Sequence, residues 1–217
     1  SYLLCWFEDK EDDKPVNYRK GIDVSKHQGA IDWEKVKADG VEFAMLRAGY
    51  GQNKIDEQFE RNASECTRLG IPFGVYWFSY AYTEAMAKRE AEYCLAAVKP
   101  YKLSYPIAFD FEYDSVDYAE EKGVKVTKAL ASKFARAFLN TVEGAGYYAM
   151  LYANPNYLSQ YFDADIPSRY DIWLAKWPTN PDISDNPGPG GMWQYTSSGA
   201  VDGIEGRVDM NVAYKDY

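Results

Sequence analysis

Histidine is almost missing from this chain: His27 is the only one in 217 residues. Cysteine is scarce, with Cys5, Cys66 and Cys94 and no CxxC pair. Zinc sites of Cys and His ligands are built on closely spaced pairs; none is present, and no metal is expected. Cys66 and Cys94 fall in predicted helices, so two buried free thiols are expected unless those helices are neighbours. No run of Lys and Arg stands out, which argues against nucleic acid as a partner. No apolar run approaches the roughly 20 residues that span a bilayer, so membrane insertion is not expected. No GxGxxG follows the first strand and no P-loop pattern occurs, so no nucleotide cofactor, and no other, is expected. The opening "SYLLCWFEDKEDDKPVNYRK" is no signal peptide, because its apolar part is short and no basic segment precedes it. Residues 1–19 read as a lead-in, a linker or processed end, and residues 20–217 as one domain.

Aromatic residues, by contrast, are abundant. The 20 Tyr and 6 Trp exceed what packing alone requires, and such amphipathic rings suit surfaces that stack on flat or sugar-like ligands. A Tyr-rich core would satisfy the same composition. Hydrophobic residues make up 47%, enough for a sizeable core. The formal net charge of −9 implies solubility and little more.

From Gly21 a rhythm begins. "GIDVS", "VEFAMLRAGYG", "IPFGVYWFSYA", "YPIAFDFEYD" and "YYAMLYAN" read as strands. Helical segments separate or follow them: "IDWEKVKADG", "DEQFERNASECTRLG", "TEAMAKREAEYCLAAVKP", "TKALASKFARAFLNTVEGAG" and the short "PNYLSQYF". Gly40 and Gly70 suit the left-handed position after a helix, and Thr83 suits a cap. "YDIWLAKW", "GMWQYTSSG" and "RVDMNVAY" follow as strands with loops between them, such as the Pro- and Gly-rich "PTNPDISDNPGPGG". Strands alternating with helices imply a parallel sheet with right-handed crossovers. Eight strands and about five helices in one domain give an α/β fold, an irregular TIM-like barrel; an open doubly wound sheet is the alternative.

The fourth strand carries Asp110 and Glu112 two residues apart. Residues so spaced point to one side of a strand, with Cα atoms about 6.6 Å apart. Here that side is the barrel interior, at the carboxyl end where active sites of this fold gather. Burial and mutual repulsion raise the proton affinity of such a pair. A carboxylic acid still protonated near neutral pH can protonate a leaving oxygen, which is the first demand of glycoside hydrolysis. A pair bridged to an arginine would look the same in sequence. Asp23 in the first strand and Asp209 in the last meet at the same mouth if the barrel closes. Aromatics stand at the strand ends: Tyr76, Trp77, Tyr80, Tyr113, Tyr152, Trp173 and Trp177. Tyr76 and Trp77 point opposite ways, so only one faces inward. An acidic pocket ringed with aromatic faces suits a polysaccharide.

"GIDVSKHQGAIDW", "FAMLRAGYG", "PFGVYWFSYA", "PIAFDFEY", "LYANPNYL", "IWLAKW" and "MWQYTSSGAVDGIEGRVDMNV" resemble, in order and spacing, the Chalaropsis-type lysozymes of glycoside hydrolase family twenty-five, from about Lys20 to Tyr214. The resemblance implies an N-acetylmuramidase acting on peptidoglycan glycan strands. It implies Glu112 as general acid and Asp110 as second catalytic carboxylate, with Asp23 and Asp209 as flanking acids. It further implies retention through the substrate's own 2-acetamido oxygen, with Asp110 steadying the acetamido nitrogen. A cell-wall-binding module without catalysis and a glycosidase of another N-acetylated glycan, such as chitin, are the alternatives.

The substrate contacts expected are Tyr76, Tyr80, Tyr113, Tyr152, Trp173, Lys176 and Gln194, with Tyr195 a lesser candidate. His27 reads as a structural donor, with orienting Asp23 or lining the rim as the alternatives. Asn62 in "NAS" matches a glycosylation acceptor, but its place in mid-helix speaks against use. A monomer is expected, outside the cell or associated with the cell wall.

Overall fold

The computed structural model describes residues 17–217; Cys5 and the expected lead-in up to residue 16 lie outside the described residues. The strands are β1 (Arg19–Val24), β2 (Phe43–Tyr50), β3 (Lys54–Ile55), β4 (Phe73–Phe78), β5 (Ile107–Asp110), β6 (Ala149–Ala153), β7 (Asp171–Ala175), β8 (Met192–Gly199) and β9 (Val208–Ala213). The helices are α1 (Trp33–Ala38), α2 (Phe59–Leu69), α3 (Glu84–Val98), α4 (Tyr113–Glu121), α5 (Lys128–Gly144), α6 (Pro155–Tyr161) and α7 (Ile166–Arg169). Strand order is β1-β9-β8-β7-β6-β5-β4-β2, and β1 pairs β2 to close the ring. Eight strands thus form the expected barrel, with β3 a two-residue ladder on the end of β2.

The sheet departs from the expected parallel pattern at one place. β9 runs antiparallel to both β8 and β1, while the other barrel neighbours are parallel. A parallel return needs a crossover of a dozen or more residues. The β7–β8 connection has that length and runs as a loop. The connection from β8 to β9 is short, so the chain turns back. Two helices exceed the expected five. α4 begins where the fourth strand was read to continue, since β5 stops at Asp110, and α7 is a single turn.

Alternation along each strand sorts the side chains into two cores. Ile22, Leu46, Val75, Phe109, Leu151 and Ile172 point outward against the helices. Met45, Ala108, Met150, Trp173 and Met192 point inward and fill the barrel. Phe43 and Tyr105 stack in that inner core, centroids 4.6 Å apart. Above this plug the inward positions turn polar, and there the strands end. Cys66 and Cys94 are free and buried. Asn62 is 1% exposed and accepts a bond from Trp33 Nε1 at 3.0 Å, a packing role that leaves no room for a glycan.

Candidate active site

The polar layer above the plug is built from inward residues of nearly every strand. Asp23 and Asp209 are direct partners across the β1–β9 pair, so closing the barrel does bring first and last strands together. Asp110 ends β5, and Glu112 follows as the residue before the first turn of α4, with extended backbone (φ −128°, ψ −170°). That extension keeps the two-residue alternation going past the strand. Glu112 N–H donates to Ser115 Oγ at 3.0 Å, which fixes the turn. These four acids line one pit with Arg47, Tyr76, Tyr152, Trp173 and Gln194.

Arg47 was not foreseen. Arg47 follows the inward alternation from Met45, and the register between β2 and β4 shifts only after it, between Arg47 and Gly49. Gly49 is required there, since a Cβ would lie 2.3 Å from the Lys54 carbonyl oxygen. Arg47 Nε is 2.7 Å from buried Asp56, so its charge is already paired. Asn211, buried behind Asp23, was also missed.

Burial dominates the electrostatics. It raises the proton affinity of Asp110 well above the usual carboxylate range; the Glu112 charge adds to this and Arg47 opposes it. Burial also raises Glu112, and the neighbouring Asp110 carboxyl lowers it in part. The helix start favours the anion at Glu112. The same holds on the other side: burial and the Asp209 charge raise Asp23. Asp209 is raised by burial and relieved by the neighbouring Asp23 carboxyl and by the charge of Arg207. Burial thus makes each pair hold protons more tightly than isolated carboxylates do.

An aromatic arm runs from the pit, sharing Glu112 and Tyr152 with it and adding Phe111, Tyr113, Tyr157 and Trp177. Tyr113 is 60% and Trp177 57% exposed, open faces beside the acids.

The other expected contacts fall in different places. Tyr76 faces the pit, while Trp77 points outward and donates to Gly51 O. Trp173 is 1% exposed; its ring supports Tyr76 and Tyr152 edge-on from below. Tyr80 stands outside the pit against Phe78 and Tyr118, because its strand has ended. Lys176 lies in a separate depression beside Leu158 and Pro189, and among the described residues forms no ion pair with the acids. Tyr195 packs on Trp193 instead of lining the pit. His27 is exposed at the rim. Among the described residues no group of three or more His, Cys, Asp or Glu is arranged to hold a metal.

Paired carboxylates of raised proton affinity beside aromatic faces, at the mouth of a barrel, are the equipment of a glycosidase. The sequence model of the family described as Glycosyl hydrolases family 25 matches residues 22–204, and the chain belongs to that family; it is a glycoside hydrolase. The modular autolysin LytC from Streptococcus pneumoniae, whose structure was solved in complex with a synthetic peptidoglycan ligand, is 34% identical with a TM-score of 0.76. The match covers 91% of this chain and 47% of LytC. Lysozyme M1 from Streptomyces globisporus is 25% identical over 204 residues, 88% of this chain and 66% of its own. YegX from Escherichia coli (strain K12), itself uncharacterized, is 28% identical over 212 residues, 91% of this chain and 71% of its own. The chain therefore spans less than half of LytC.

Proposed function

We propose that the domain is an N-acetylmuramidase, cutting the β-1,4 bond from N-acetylmuramic acid to N-acetylglucosamine in peptidoglycan. The observation that carries this is the Asp110–Glu112 pair, two carboxyls whose burial raises their proton affinity, at the junction of pit and aromatic arm. LytC with its peptidoglycan ligand and lysozyme M1 support the choice of substrate.

In this reading the glycan lies along the arm, with Tyr113, Tyr152 and Trp177 against its sugars. The substrate's acetamido N–H donates to Asp110 and favours its ionised form, which leaves the proton of the pair to Glu112. Glu112 then gives it to the leaving oxygen as the glycosidic C–O bond breaks, while the acetamido oxygen bonds to the anomeric carbon. Water, deprotonated by Glu112, opens that intermediate with net retention. Asp23 and Asp209 flank the pair and set its field, and Arg47 limits the negative charge. Tyr76 and Tyr152 offer hydroxyls; Trp173 supports them. The catalytic unit is residues 20–217, acting as a monomer outside the cell or on the wall, with residues 1–19 leading in.

Digestion of purified peptidoglycan, followed by borohydride reduction, tests the bond. The account expects reduced muramic acid; reduced glucosamine contradicts it. Release from chitin alone makes the domain a different glycosidase, and release from neither makes it a wall-binding module. Proton NMR of the first-formed anomer tests the route, and an inverted product eliminates acetamido participation.

A further inference from the structure

Gln194 was expected to hold a sugar hydroxyl. Its surroundings leave it nothing to do so with. The side chain is 2% exposed. Its Nε2 donates to Asp23 Oδ2 at 2.8 Å and to Asp209 Oδ2 at 3.3 Å. Its Oε1 accepts from Tyr152 OH at 2.7 Å and from Trp177 Nε1 at 3.1 Å. A primary amide has two N–H donors and two lone pairs on oxygen, and all four are used.

Asn211, its direct partner across β8 and β9, is fully buried. Asn211 Nδ2 donates to the same oxygen, Asp23 Oδ2, at 2.8 Å. Its Oδ1 accepts from Trp173 Nε1 at 2.7 Å. We infer that Gln194 and Asn211 form a two-amide clamp that positions the Asp23 carboxylate, and that Gln194 ties the clamp to the aromatic wall where sugars sit. Both are positioning residues.

The physical consequence is directional. Two amide donors fill the lone pairs of Oδ2, which leaves Oδ1 as the oxygen free to carry a proton. The carboxyl cannot rotate without losing both buried bonds. Trp177 is the exposed end of the chain that runs through Gln194 to Asp23. A sugar that fixes the indole thereby steadies the acid pair. The other ionisable groups of the pit that holds Asp23 are Asp209 on β9, Asp110 on β5, Glu112 at the start of α4, Tyr76 on β4, Tyr152 on β6 and His27 at the rim, with Arg47 and Arg207 the nearby cations.

The kinetic part of this inference rests on the muramidase reading; the structural part does not. The first test is therefore a carbon-13 titration of the Asp23 carboxyl, assigned by its loss in Asp23→Asn. Both amide donors favour the ionised form, so Gln194→Met and Asn211→Leu should each move the Asp23 midpoint to higher pH. Gln194→Leu, neutral and without donors, should shift it the same way, so it serves if Met does not fold. An unmoved midpoint overturns the clamp. The second test is turnover of peptidoglycan. A positioning role predicts a fall in kcat of about tenfold or more with KM within about twofold. A raised KM with kcat intact would make Gln194 a sugar ligand and overturn the inference. An inactive wild type overturns the muramidase reading alone, because the titration still decides the clamp.

Discussion

Asp110 and Glu112 differ by two positions and by one backbone state, and that difference sets how far each is open to solvent. Asp110 ends a strand, with its carboxyl deep in the pit. Glu112 opens a helix and is only partly buried, at the junction with the aromatic arm. Both were legible in the sequence because alternation along an extended chain needs no knowledge of tertiary structure. The same rule would have found Asn211, two residues from Asp209 in "VDMNV", and Arg47, two from the inward Met45. They were overlooked because a lone Asn or Arg in an apolar strand carries no chemical signature of its own. Tyr80 and Lys176 failed for the opposite reason: they stand beyond the strand ends, where alternation lapses. Trp177 is also beyond its strand, yet its bond to Gln194 holds it at the arm. Trp177→Ala should raise KM for peptidoglycan by about three- to tenfold, the worth of one aromatic contact, with a smaller change in kcat. Trp177→Phe should recover part of the loss. An unchanged KM in the alanine variant would remove the arm from the binding path.

Among the elements, α3 carries a pH-dependence distinct from catalysis. Glu90 on this helix is fully buried. It accepts from Ser79 Oγ at 2.6 Å and from Tyr80 N–H at 2.9 Å, just past the end of β4. Among the described residues it has no cation partner. Burial pushes its carboxyl up to about 7, the two donors notwithstanding. A carboxyl raised in the folded state gives stability that is full below its ordinary value and lost as pH rises through the folded one. Glu90 alone is worth on the order of 3 kcal/mol across that window, and the four pit acids act in the same direction. The melting temperature at pH 5 should therefore exceed that at pH 8, and Glu90→Gln should narrow the gap. An equal gap in the variant would contradict the assignment. No sequence signal marked Glu90, because an acid in an amphipathic helix reads as a solvated face until the helix is docked. The start of α4 was hidden for a related reason: Glu112 is extended like the strand before it, and the helix declares itself only through Val116 and Ala119, which turn inward.

At the scale of the molecule, the site exists because the sheet closes. β9 forms the seam, pairing antiparallel with β1 and β8, and it delivers Asp209 and Asn211 to the mouth. A parallel β9 would carry the same residues to the opposite end. The rhythm of strands and helices made the barrel legible, whereas the direction of its last strand depended on a loop too short to cross over. Removing residues 208–217 should open two sheet edges and abolish cooperative unfolding, measured by circular dichroism; a cooperative transition in the truncated chain would show the barrel closing without its seam. The central claim is that the carboxyl pair at this mouth breaks a glycosidic bond by proton transfer through Glu112. The most direct measurement is turnover of purified peptidoglycan by Glu112→Gln beside wild type, with folding checked by melting temperature. The amide keeps the shape and cannot donate that proton, so kcat should fall by about 10²–10⁴ with the melt intact. Near-wild-type turnover in the folded variant would contradict the account.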